Sequence, residues 1–150
     1  MGVFERVLQA RQPPTENVAL TPRSAFAATI VGALNADGRG APEEVRRANE
    51  IFASTKLFKG PNSEPVNTVV EQVLHLLATQ GADTLAALAA KSLPEELRLP
   101  AFAIATDLVL ADGDATAEER RFVDDLQARL QISDEDAAKI VDVIMIKNSA

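Results

Sequence analysis

The chain of 150 residues contains no cysteine, tryptophan or tyrosine, and it has a single histidine. Without cysteine it forms no disulfide, offers no thiolate nucleophile and cannot bind zinc through cysteine ligands. No apolar run approaches the ~20 residues that a membrane-spanning helix needs, and the first residues lack the apolar core of a secretory signal. We therefore expect a cytoplasmic protein with no direct membrane insertion.

Size and charge narrow the class further. Hydrophobic residues make up 47% of the chain and charged residues 25%, which excludes wholesale disorder. The net charge is −7, and the acidic excess lies after residue 60, where the chain has sixteen Asp and Glu but only seven Lys and Arg. Because such a surface repels phosphate backbones and anionic lipid, we expect no nucleic acid or membrane ligand; cations or a basic protein surface fit better.

Apolar residues recur at helical spacing along the whole chain, and no stretch alternates like a strand. Within residues 65–80, for example, valines and leucines follow each other at three- and four-residue steps between Pro65 and Gly81, residues typical of a helix start and a helix end. The pattern predicts a single all-α domain over residues 1–150 with seven or eight helices. Four helices are predicted over about 22–36, 65–80, 82–92 and 98–111. A fifth begins at Pro42, a sixth after the N-cap Thr116, and a seventh runs from the N-cap Ser133 to about 147.

One short motif occurs twice. Residues 36–44 read ADGRGAPEE and residues 111–119 read ADGDATAEE, an offset of 75 residues, which is half the chain length. Each copy joins two predicted helices. The repetition predicts a duplicated helix–loop–helix unit, approximately residues 22–58 and 98–147, arranged about a pseudo-twofold axis.

Each copy has a glutamate six residues after its glycine, the interval found in EF-hand calcium loops. In those loops the glycine makes a sharp turn and the glutamate chelates the ion. The rest of the EF-hand pattern is missing, because Ala33 and Leu108 occupy the first ligand positions and neither can coordinate. The copies are therefore not EF-hands, and a strong site would need both loops together, backbone carbonyls or water.

Two interpretations of the repeated motif stay open. In the first, the motif only ends one helix and begins the next, and Thr116 with Glu119 forms a capping box. In the second, it binds a cation. The second copy is the better candidate for that, because five acidic residues lie close in sequence and a divalent ion would remove their mutual repulsion: Asp107, Asp112, Asp114, Glu118 and Glu119.

Catalytic motifs are missing from the sequence. His75 falls opposite the apolar stripe of its helix and is expected to be a solvated neighbour of Glu71. No G-x-S-x-G surrounds a serine, and there is neither a Walker loop nor a dinucleotide fingerprint. We therefore expect no enzyme.

The second copy and its continuation, ADGDATAEERRFVDDLQARLQISDEDAAKIV, resembles the tellurite-resistance protein B (TerB-like) family. The carrying features are Ala-Asp-Gly at 111–113, the paired glutamates at 118–119, Phe122, Leu126 and the break before the final helix. The resemblance implies an all-helical, internally symmetric cytoplasmic protein linked to tellurite resistance and stress responses. It also implies cation-binding acidic residues, which here are Asp37, Glu44, Asp112 and Glu119, with Glu43 and Glu118 as alternates; proximity adds Asp114.

Together these observations predict a non-enzymatic, metal-responsive helical protein. The expected ligand is Ca²⁺ or another divalent cation such as Mg²⁺ or Mn²⁺, bound at the Asp-Gly loops. The resemblance also implies a protein partner among membrane-associated metal-stress proteins. The alternative is a metal-independent helical adaptor or oligomerisation module, for instance a homodimer, whose loops only separate helices.

Overall fold

The computed structural model describes residues 20–36, 41–59, 65–111 and 116–150, together with Val3. These residues form seven α-helices and one 3-10 turn (Lys56–Phe58), with no strand among them, which confirms the all-α prediction. The α-helices are α1 (Pro22–Ala36), α2 (Ala41–Ser54), α3 (Val66–Gln80), α4 (Ala82–Ser92), α5 (Glu95–Leu110), α6 (Ala117–Arg129) and α7 (Asp134–Lys147).

Local capping signals set most helix ends where the sequence predicts them. Thr116 accepts a hydrogen bond from the backbone of Glu119 at the start of α6, and Ser133 accepts one from Asp136 at the start of α7. Gly81 adopts a φ of 87° between α3 and α4, a conformation that favours glycine. These hydrogen bonds satisfy backbone groups that a helix terminus leaves without a partner.

Helix α5 begins three residues earlier than the predicted residue 98. Pro94 is its N-cap, and Glu95 and Glu96 lie in the first turn, where acidic side chains interact favourably with the helix dipole. Pro100 is therefore inside the helix rather than near its start. Its missing N–H leaves one carbonyl of the preceding turn without a helical partner, a group that water can reach because Pro100 is exposed.

Helix α1 is the centre of the structure. It packs against α2, α3, α4, α5 and α6, and ten of its fifteen residues are buried. The predicted core positions Phe26, Ile30, Val31 and Leu34 are all among them. Alanines fill much of the remaining surface of α1, which lets neighbouring helices approach from several sides.

Three phenylalanines join α1, α2 and the 3-10 turn. The Phe52 ring centroid lies 4.6 Å from that of Phe58 and 6.5 Å from that of Phe26, the latter in an edge-to-face arrangement. Phe26 and Phe52 are fully buried, and Phe58 nearly so. Aromatic pairs of this geometry contribute beyond their buried area, so the cluster anchors the first helix pair.

Helices α1 and α4 run antiparallel. The backbone N–H of Leu20, just before α1, donates to Ser92 Oγ at the end of α4. At the other end, Asn35 and Ala36 line the same cavity as Ala82 and Asp83.

Each copy of the repeated motif joins two helices that contact each other, α1 with α2 and α5 with α6. The pseudo-twofold axis and the two repeat units stay predictions.

Helix α7 closes the chain by packing mainly on α5. Ala137 and Ile144 are buried there, whereas Val143 and Ile146 point outward and are 64% and 72% exposed. Across the described ranges, no helix is long and apolar enough to span a membrane.

Candidate functional site

Of the five predicted cation ligands, only Glu119 has a described side chain. Asp37, Asp112 and Asp114 lie outside the described residues, and for Glu44 only the helical backbone is described. The predicted ligand set is therefore still a prediction. What the structure does give is the arrangement of the helix ends to which both motifs are joined.

Glu119 and Thr116 form the predicted capping box. Thr116 Oγ1 accepts the backbone N–H of Glu119 at 3.1 Å, and Glu119 Oε1 accepts the backbone N–H of Thr116 at 3.1 Å. Glu119 is only 7% exposed, so burial and the hydrogen bond from Thr116 N–H fix its carboxylate at the end of the second motif. Its other oxygen, Oε2, accepts no hydrogen bond from the part of the chain that the structure describes.

The end of α7 contacts the end of α5, just before the second motif begins. Asn148 Nδ2 donates to the carbonyl of Leu110 at 3.3 Å, at the end of α5. Lys147 Nζ donates to both carboxylate oxygens of Asp107, at 2.8 and 2.7 Å. Asp107 was expected among the crowded acids of the second copy, but its charge is already compensated by Lys147, forty residues away in sequence.

Glu118, the alternate to Glu119, is exposed and lies on a cavity instead of joining Glu119 in a cluster. Within the described ranges, no three Asp, Glu or His side chains come close enough together to hold a metal ion. His75, as expected, is exposed. Metal binding would thus depend on side chains of the two motifs.

One described residue of each motif, Ala36 and Glu118, lines a single cavity of about 420 Å³. Asn35 and Ala36, the last residues before the first loop, lie on one wall, and Glu118, in the first turn after the second loop, lies on another. The antiparallel packing of α1 and α4 brings the start of α4 to this end as well. The two motifs therefore attach at the same end of the helix bundle.

We call this space the α1/α4/α6 cavity after the helices that form most of its walls. Its volume is in the range typical of ligand pockets, roughly 300–1,000 Å³. The floor is apolar and the rim is charged. The floor includes Ala28, Gly32, Leu85, Ala86, Ala89, Phe122 and Leu126, and the rim carries Asp83, Glu118, Arg121, Asp125 and Arg129.

Sequence reasoning missed this cavity. The available signal was the recurrence of small residues at helical spacing, Ala28 and Gly32 on α1 and Ala86 and Ala89 on α4. A Cβ atom on Gly32 would lie 3.7 Å from Phe122 Cε2, so the α1 backbone already forms part of the wall next to that ring. Small side chains explain why these helices leave space between them once α6 is in place.

Comparison with protein families identifies a match over most of the chain. The family model described as "Tellurite resistance protein TerB" matches residues 23–142, four fifths of the chain, which includes both motifs, all of α2 to α6 and most of α1 and α7. This confirms the predicted resemblance. No curated protein and no solved structure matches the chain.

Proposed function

We propose that this chain, which belongs to the tellurite resistance protein TerB family, binds a divalent cation, Ca²⁺ first, through its two Asp-Gly motifs. Binding would fix the two helix pairs relative to each other and present one surface to a protein partner. The observation that supports this proposal is that one described residue of each motif, Ala36 and Glu118, lines a single cavity.

The chemistry of the proposed ligands suits a hard cation. Ca²⁺ takes six to eight oxygen ligands, and carboxylates, backbone carbonyls and water all supply them. Asp37 and Glu44 would come from the first motif, and Asp112, Asp114 and Glu119 from the second. The capping box leaves Glu119 Oε2 for the ion while Oε1 holds the helix start. Because each motif alone has too few oxygens, the site requires both.

The remaining parts of the proposal follow from the family and from composition. Members of the TerB family are generally non-enzymatic, and we propose that this chain too acts without catalysis. We place it in the cytoplasm, linked to tellurite resistance and the wider metal stress response. Its protein partner would be membrane-associated, with no direct insertion of this chain into the bilayer.

Titration of Ca²⁺ against the melting temperature of the metal-free chain tests the proposal. With half-saturation at about 10 μM, a ~100-fold excess of free ion stabilises the folded state by about 2.7 kcal/mol. Mg²⁺ and Mn²⁺ titrations identify the preferred ion. If none of these divalent cations raises the melting temperature, the proposal is ruled out.

Two matched variants separate metal binding from helix capping. Glu119→Gln keeps an oxygen that can accept the Thr116 N–H, since glutamine also serves in capping boxes, but it removes the charge. It should retain metal-free stability and lose most of the Ca²⁺ shift, as should Asp112→Ala. Glu135→Gln, an exposed acid in the first turn of α7, serves as the control and should keep the shift. An undiminished shift in Asp112→Ala would contradict the site.

The second candidate function is a metal-independent adaptor or homodimer. The observation that favours it is the exposed outer face of α7, where Val143 and Ile146 lie one turn apart and Met145 is 47% exposed. Concentration-dependent size in the presence of a chelator, abolished by Ile146→Glu, would support this function. A monomer at all concentrations would remove it.

A further inference from the structure

The α1/α4/α6 cavity is an apolar surface that the described residues leave uncovered. Its lining includes Phe122 and Leu77, which are half-buried, between small residues, while Leu85 and Leu126 lie buried at its base. None of the five rim charges has a hydrogen bond or ion pair within the described parts of the chain. An occupant would need large apolar side chains together with charges that complement the rim.

The segment before α1 has this composition. Val3, Phe4, Val7 and Leu8 occupy positions i, i+1, i+4 and i+5, the spacing of an apolar stripe on one helix face. Val3, the one residue of the segment that the structure describes, is helical and 77% exposed. On a helix, Phe4 and Val7 would lie at the middle of the stripe and Val3 at its edge.

The charges are also complementary. Asp83, Glu118 and Asp125 outnumber Arg121 and Arg129 at the rim, so the rim is negative by one charge. Residues 1–11 carry two arginines and one glutamate and are positive by one. Opposite net charges favour docking and oppose the approach of a second acidic surface.

The connection is long enough. Leu20 is fixed beside Ser92, at the end of α4, and the cavity begins about 5 Å away along α4, at Ala89. Eleven residues, Pro13 and Pro14 among them, lie between Leu8 and Leu20, so the connection is twelve residue steps long. At ~3.1 Å per residue an extended connection spans about 37 Å, so docking within one molecule is within reach.

We propose that residues 3–11 form an amphipathic helix that docks into the α1/α4/α6 cavity of the same chain, with Phe4 and Val7 over the floor. This inference is independent of the proposed metal site, and its test is carried out with a chelator present. A partner helix that binds this cavity would have to displace the segment.

The absence of tryptophan makes a direct test possible. In the full chain, Phe4→Trp introduces a single indole on the proposed docking face, and Glu5→Trp introduces one on the opposite face as the control. The Phe4→Trp emission should lie at shorter wavelength than that of the control. Ala86→Lys, which places a charged side chain in the cavity, should shift it toward the control while the far-UV spectrum is unchanged.

Equal emission from the two tryptophan variants would overturn the proposal, as would a short-wavelength emission that Ala86→Lys does not change. A blue shift that requires anionic phospholipid vesicles and persists in Ala86→Lys would assign the stripe to a membrane surface and would also overturn it. The vesicle titration is therefore run on both backgrounds.

Cross-linking covers the case in which Ala86→Lys fails to fold. Because the chain has no cysteine, the pair Phe4→Cys and Ala86→Cys contains its only thiols. Docking gives an effective concentration on the order of 1 mM, so at ~10 μM protein the intramolecular disulfide should form roughly 100-fold faster than an intermolecular one. The control pair Phe4→Cys and Ala138→Cys, with Ala138 exposed on α7, should not show this advantage. Equal rates for the two pairs would refute docking.

Discussion

The contribution of the capping box at the start of α6 follows from its two hydrogen bonds. Thr116→Ala removes the oxygen that accepts the Glu119 N–H at 3.1 Å. Thr116 is exposed, so the substitution removes little packing. Replacement of an N-cap threonine by alanine typically costs about 1 kcal/mol. We therefore expect the free energy of unfolding to fall by about that amount.

Denaturant and thermal unfolding both measure the loss. The unfolding entropy is ~2.1 cal/mol/K per residue, about 0.3 kcal/mol/K for this chain, so the melting temperature should fall by about 3 °C. Far-UV circular dichroism is the suitable probe because tryptophan and tyrosine are absent. In urea the midpoint should fall while the slope m stays constant, which shows that only stability has changed.

Two companion variants decide whether the hydrogen bond is the cause. Thr116→Ser keeps the hydroxyl and should retain most of the stability. Glu119→Ala removes the reciprocal bond, and the double variant with Thr116→Ala should lose less than the two single losses combined, because both residues belong to one network. A serine variant as unstable as the alanine variant, or strictly additive losses, would refute the reasoning.

Two further predictions concern the end of α6 and the core. Gln131 follows the end of α6 with a φ of 56°, and the next residue, Ile132, donates its N–H to the carbonyl of Gln127. Glycine is favoured at such a helix end because it adopts a positive φ without strain. Gln131→Gly should therefore raise the free energy of unfolding by about 0.5–1 kcal/mol, measured in urea. The control Ala128→Gly, inside the helix, should destabilise by about 1 kcal/mol, and the same sign for both would contradict the assignment. Phe52→Ala should cost about 3–5 kcal/mol, measured in the same way, because Phe52 is fully buried against two aromatic rings; a loss below about 1 kcal/mol would show that the aromatic cluster does not anchor α2.

Helix positions were largely predictable because their signals are local. Thr116 and Ser133 bond to backbone groups three residues away, and Gly81 adopts its own positive φ without help from other helices. The start of α5 was less predictable because both Pro94 and Pro100 fit a helix beginning. The structure starts the helix after Pro94, where two glutamates occupy the first turn.

The candidate site was predictable only in part. The capping role of Glu119 follows from residues 116–119 alone, and the structure confirms it. The pairing of Asp107 with Lys147 could not be predicted, because these residues are forty positions apart and meet only when α7 packs on α5. The Asp107 carboxylate, one of the five acids that the sequence places near a possible cation, is thereby paired with the Lys147 ammonium group.

By itself the sequence determined the secondary structure, the family and the acidic character of the two repeated motifs. These properties depend on side-chain order and on hydrogen bonds that close within one or two helical turns. Only the tertiary structure decided that α1 is buried on nearly all sides, that both motifs attach at one end of the bundle, and that a cavity opens among α1, α4 and α6. The reason is that helical periodicity indicates which face of each helix is apolar but not which other helix covers it.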